Sequence, residues 1–147
     1  MMKQIALALI VLISSKSLIA QKADDIVGYW LTSGKNPAKI QIFKTGNKYN
    51  GKIVWLTNPM ENGKPKLDNK NPDTKKRQQP IVGMTILTNF IFDGKDEWED
   101  GKIYDPESGN TYSCNMELNG RNKLKVRGYI GLSLFGRTEV WTRTTAP

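Results

Sequence analysis

The sequence predicts an all-β protein, an antiparallel up-and-down β-barrel of about eight or nine strands with no substantial helix after its N-terminal leader. Three observations carry this. Apolar residues recur at alternate positions, as in Ala38-Lys-Ile-Gln-Ile-Phe-Lys44 and Tyr112-Ser-Cys-Asn-Met-Glu-Leu118, which is the period of a strand with one dry face. Turn signals separate the runs at short intervals: Thr45-Gly46-Asn47, Asp93-Gly94, Asp105-Pro-Glu-Ser-Gly109 and Asn119-Gly120. Strands joined this tightly pair antiparallel, and about eight of them leave room inside a barrel for side chains or one small ligand.

The chain opens with Met1-Met2-Lys3, an uncharged apolar run from Ile5 to Ile13, and then Ser14-Ser-Lys-Ser-Leu-Ile-Ala20, with the small Ala20 at the expected cut. That is the layout of a secretory signal, with cleavage expected after Ala20, so residues 1–20 form a leader and 21–147 a single domain. The apolar run is too short to span a bilayer. The mature protein is expected in the periplasm or outside the cell, and not as an integral membrane protein.

Ile26 to Thr32 reads as the first strand and contains Gly28-Tyr29-Trp30. Residues 38–44 and 48–56 continue as a meander, with Gly51 marking a bulge or a sharp corner. Thr57 to Pro80 breaks the pattern: it holds Pro59, Pro65, Pro72 and Pro80 and has no apolar period. A loop this long in a compact domain is usually functional or mobile. Ile81 to Phe92 restores strand character, residues 97–104 and 112–118 flank the turn at Pro106, and residues 123–130 and 137–143 complete the sheet.

Charge is distributed unevenly. The net of +8 falls to +6 once Lys3 and Lys16 leave with the leader. Lys64, Lys66, Lys70, Lys75, Lys76 and Arg77 lie within the 57–80 excursion, whereas residues 93–107 are strongly acidic. The basic group offers a contact for an envelope partner or an anionic surface, or is a solvated loop lying against the acidic segment. It lacks the interleaved aromatics of a single-strand binder, and export argues against nucleic acid.

Histidine is absent. This excludes Ser-His-Asp and Cys-His catalysis and the usual His-containing zinc sites. The single cysteine, Cys114, cannot form an internal disulfide, and its phase with Tyr112 and Met116 makes it a small buried hydrophobe. Asp105 with Glu107, or Glu97 with Glu99, has the same-face spacing that glycoside chemistry needs, but both pairs lie in or beside turns, where acids are common on local grounds. Asp68-x-x-Asn71-x-Asp73 lacks the glycine and spacing of a calcium loop. No catalytic residue, metal or cofactor is assigned.

Several stretches together carry a family resemblance: G-Y-W-L from Gly28, Y-N-G-K-I-V-W-L from Tyr49, the Asp68…Asn71-Pro72 loop, G-M-T-I-L from Gly83, G-K-I-Y-D-P-E-S-G-N-T-Y from Gly101, and V-R-G-Y-I-G-L-S-L-F-G-R-T-E-V-W from Val126. They resemble the exported bacterial domain-of-unknown-function family 2147. Gly28-x-Trp30, with Arg137 and Arg143 around Trp141, also resembles the lipocalin pattern, in which a tryptophan plugs one barrel end beneath an arginine. The resemblance implies a lipocalin-like (calycin-like) barrel and no established activity.

The first functional expectation is therefore a barrel binding a small apolar or amphipathic ligand, with Trp30, Trp55, Tyr104, Tyr112, Arg127 and Tyr129 as the candidate ligand-binding residues and Arg127 or Tyr129 meeting the polar end. The alternative is a filled, non-enzymatic barrel that contacts an envelope partner through the 57–80 excursion. A carboxylate-based enzyme is the third reading.

Overall fold

The computed structural model describes residues 22–132 and 135–147; the leader expected over residues 1–20, with its expected cleavage after Ala20, lies outside them. A 3₁₀ turn at Ala23–Ile26 precedes β1 (Gly28–Leu31), β2 (Ala38–Thr45) and β3 (Lys48–Leu56). The 57–84 excursion carries a short hairpin, β4 (Met60–Glu61) with β5 (Lys64–Pro65), an isolated antiparallel bridge between Leu67 and Pro80, and a 3₁₀ turn at Thr74–Lys76. Beyond it come β6 (Thr85–Phe92), β7 (Glu97–Asp105), β8 (Asn110–Asn119), β9 (Lys123–Tyr129) and β10 (Gly136–Thr144). Eight strands close a barrel in the order β1-β10-β9-β8-β7-β6-β3-β2. Every pairing is antiparallel, and the seam sets Trp30 opposite Arg143. Among the described residues, no helix is long and apolar enough to cross a membrane.

The two ends of the barrel differ. The β2–β3, β6–β7 and β8–β9 turns gather at one end around the N-terminal 3₁₀ turn, which plugs it. Trp30 and Trp98 are fully buried there, and a buried indole N–H needs an acceptor. Trp30 Nε1 donates to the Ile26 carbonyl at 2.9 Å and Trp98 Nε1 to the Ala23 carbonyl at 3.1 Å, so the two rings hold the plug in place. Arg143 lies 4.3 Å over the Trp30 ring, the stacking that the lipocalin-like pattern implies. The β1–β2 loop, the excursion, the β7–β8 turn and the β9–β10 loop gather at the opposite end.

Three local expectations are corrected. Ile26 ends the 3₁₀ turn instead of opening β1, and it is fully buried as part of the plug. β6 begins at Thr85, not Ile81, because Ile81–Met84 forms a turn closed by Met84 N–H to the Ile81 carbonyl, with Gly83 at φ +96°. In β3, Lys39 pairs with Trp55 while Ile40 pairs with Ile53, so Val54 is an extra residue that inverts the phase of Trp55 and Leu56. The corner expected at Gly51 is present as a register shift against β6.

Candidate ligand cavity

The unplugged end opens into a cavity of about 630 Å³, within the range typical of small-molecule sites. Its lower wall is aliphatic because β2, β3, β7 and β9 turn alternate residues inward: Ile40, Ile53, Ile103 and Val126 line it, joined by Ile86 and Trp141. Its rim is mixed. The β1–β2 loop supplies Thr32, Ser33 and Asn36, the excursion Lys66 and Ile81, and the β7–β8 turn Asp105 and Glu107. On the remaining side stand Ile130, Phe135 and Arg137, with Ile130 70% and Phe135 72% exposed.

The excursion is docked against this rim. Asp68 is its fully buried charged residue; its carboxylate accepts from Tyr104 Oη at 2.6 Å and from Asn71 Nδ2 at 2.6 Å. Burial, reinforced by the hydrogen bond to Asp68, pushes the Tyr104 phenol up to about 12. Lys70 Nζ donates to the Glu107 carbonyl at 2.7 Å, which brings the basic excursion against the last residues of the acidic segment.

The candidate residues read from the sequence divide. Tyr104, Tyr112 and Tyr129 line the cavity. Trp30 does not: it is an inward residue, but at the plugged end, where the 3₁₀ turn covers it. Trp55 does not either. The extra residue at Val54 turns it outward, 36% exposed and with Lys39 Nζ 5.9 Å from its ring centroid, and Leu56 takes the inward place. Arg127 lies on the outer face of β9 between the inward Val126 and Gly128, and it donates to Thr138 Oγ1 at 2.9 Å. The guanidinium at the mouth belongs to Arg137. Sequence reasoning also missed Glu139, although it shares the phase of Trp141 and that alternation alone places it inside.

The other acidic groups have local explanations. Asp105 accepts from the Glu107 N–H and the Ser108 hydroxyl of its own turn. Asp93, Glu97 and Glu99 cluster closely, yet Asp93 Oδ1 caps a turn by accepting from three backbone N–H groups at 2.7–3.1 Å. Those hydrogen bonds, led by the one from Lys95, hold the Asp93 carboxyl below its ordinary range.

A family profile described as an uncharacterized protein conserved in bacteria (DUF2147) matches residues 28–143. No curated protein matches the chain. Among solved structures, protein HP1028 of the human pathogen Helicobacter pylori, reported to belong to the lipocalin family, is similar to it. The TM-score is 0.72 at 23% identity, over 81% of this chain and 82% of that one. At that identity the likeness is one of fold.

Proposed function

This chain belongs to the DUF2147 family of bacterial proteins, and from that premise we propose that it binds a small apolar or amphipathic molecule in the cell envelope, without catalysing a reaction. One observation carries the reading: a barrel plugged at one end and hollow at the other, with about 630 Å³ between an aliphatic floor and a mixed polar and apolar rim. An apolar tail entering that space leaves water at about 25 cal/mol per Å² buried, before the costs of association are subtracted. The exposed Ile130 and Phe135 at the rim offer such a molecule an apolar approach. The leader read from the sequence would deliver the protein to the periplasm or the exterior.

The test is native mass spectrometry of the protein purified gently from its own cell envelope, followed by solvent extraction. A reproducible added mass that extracts into organic solvent supports the reading and names the cargo class. A clean apo mass, together with failure of a neutral fluorescent probe to bind, overturns it. Ile53→Trp, which fills the floor, is expected to abolish probe binding while the protein stays folded.

A second reading, contact with an envelope partner or an anionic surface through the excursion, draws on the exposed Lys64, Lys75, Lys76 and Arg77. It predicts retention on anionic vesicles that salt abolishes.

A further inference from the structure

Below its rim the cavity wall carries an acid. β10 turns Arg137, Glu139 and Trp141 inward, and all three line the cavity. Glu139 lies opposite Val126, a core residue 3% exposed, whereas Arg137 lies opposite Gly128, one layer nearer the mouth. The Glu139 carboxylate therefore stands within the apolar layer and the Arg137 guanidinium above it. Trp141 Nε1 donates to Glu139 Oε2 at 3.2 Å, and Arg137 Nη2 is 3.3 Å from Oε1. The Arg137 side chain is 85% exposed against 34% for Glu139, and an ion pair so open to solvent is weak.

A carboxylate has about four lone-pair sites, of which Trp141 and Arg137 face two, and the rest need other donors. Any molecule that fills the floor strips water from those sites, and a charge so desolvated is costly unless it is paired. An alkyl carboxylate would leave Glu139 against its own tail; at the rim Lys66 and Arg137 are matched by Asp105 and Glu107, so below the rim Glu139 sets the sign. An alkylammonium supplies the missing donors and opposite charge at that place, and Arg137 has open solvent into which to withdraw.

Resting on the cavity's being a ligand site, we infer that the ligand class is cationic: an amphiphile whose protonated amine is received by Glu139, with its apolar tail on Ile40, Ile53, Ile86 and Ile103. The selectivity resides in one carboxylate set a layer below the rim. Trp141 orients that carboxylate, and Arg137 competes for it when the cavity is empty.

Three probes of equal tail length, dodecylamine, dodecanol and sodium dodecanoate, are to be titrated below their aggregation concentrations against the neutral fluorophore N-phenyl-1-naphthylamine. The wild type is expected to hold dodecylammonium at least about tenfold tighter than dodecanoate, the scale of one charge-assisted hydrogen bond. Glu139→Gln keeps an acceptor for Trp141, and it should weaken dodecylammonium about tenfold while moving dodecanol less than about twofold. Arg137→Ala removes the competing cation and should tighten dodecylammonium even if the Glu139 variant folds poorly. Equal or tighter binding of dodecanoate overturns the inference and leaves the cavity's role as a ligand site standing. So does dodecylammonium affinity that is insensitive to Glu139→Gln or falls in Arg137→Ala. Failure of all three probes and of the fluorophore to bind overturns both.

Discussion

Cys114 and Tyr104 show at the residue scale how burial sets reactivity. Cys114 is fully buried on β8, and desolvation pushes its thiol up to about 12. Native protein should therefore resist a thiol-specific reagent at mildly alkaline pH and take up one equivalent in concentrated guanidinium; rapid native labelling would contradict the placement. Tyr104, also held near 12, favours its neutral form in the fold. Its contribution to stability is present in full below the ordinary phenol value of about 10 and is lost as pH rises from there through about 12. Chemical denaturation across that window should show a fall that Tyr104→Phe makes shallower, with a tyrosinate absorbance titration marking the late phenol; identical pH profiles would count against it. Phase governs what was legible at this scale. Cys114, Tyr112 and Met116 keep the alternation, so their inward direction could be read directly. Trp55 could not be placed, because no residue near Val54 signals the extra position. Arg127 and Arg137 differ by one phase step that depends on where Gly128 and Gly136 sit in the β9–β10 register.

The excursion between β3 and β6 poses the problem at the scale of an element. Its prolines and lack of period mark it as a loop, and its unbalanced charge favours a solvated surface. What docks it is a set of contacts that pattern cannot reveal: Asp68 beneath Tyr104, and the Lys70 backbone against Gly109. Gly109 closes the β7–β8 turn at φ +75°, and a Cβ there would overlap the Lys70 carbonyl. Gly109→Ala should thus act twice, costing about 1–2 kcal/mol for the left-handed backbone and also prising the excursion from the rim. The expected result is a lower urea midpoint with faster proteolytic nicking between residues 57 and 80. Loss of stability without faster nicking would confine the effect to the turn. Asp68→Ala, which leaves the turn intact, should speed nicking as well. The hairpins, by contrast, were legible from the residues alone, since Asn119-Gly120 and Asp93-Gly94 carry their geometry in the turn residues themselves.

Closure of the whole molecule depends on pairing its first strand with its last, and one side chain binds that seam to everything around the plugged end. Arg143 stacks on Trp30 of β1, donates to the Asp25 carbonyl at 2.6 Å and the Val27 carbonyl at 3.2 Å beside the plug, and reaches the Arg121 carbonyl of the β8–β9 turn at 2.7 Å. This end was the most legible part of the fold, because Gly28-x-Trp30 and a cation on the closing strand form a pattern whose members have a mechanical reason to meet. The hollow end was far less so, since rim residues are chosen by the loops and not by strand alternation. The division yields a test of the architecture. Arg143→Ala removes a cation–π contact and three charge-assisted hydrogen bonds and should destabilise the protein by about 2–4 kcal/mol. Arg143→Lys should recover only part of this, because an ammonium cannot stack and fork at once. Denaturant unfolding measures both variants. The cavity lies at the opposite end of the barrel, so probe affinity in the folded fraction should change less than about twofold. A large loss of affinity at unchanged stability would mean that the plug and the cavity are one coupled unit and not two separable ends.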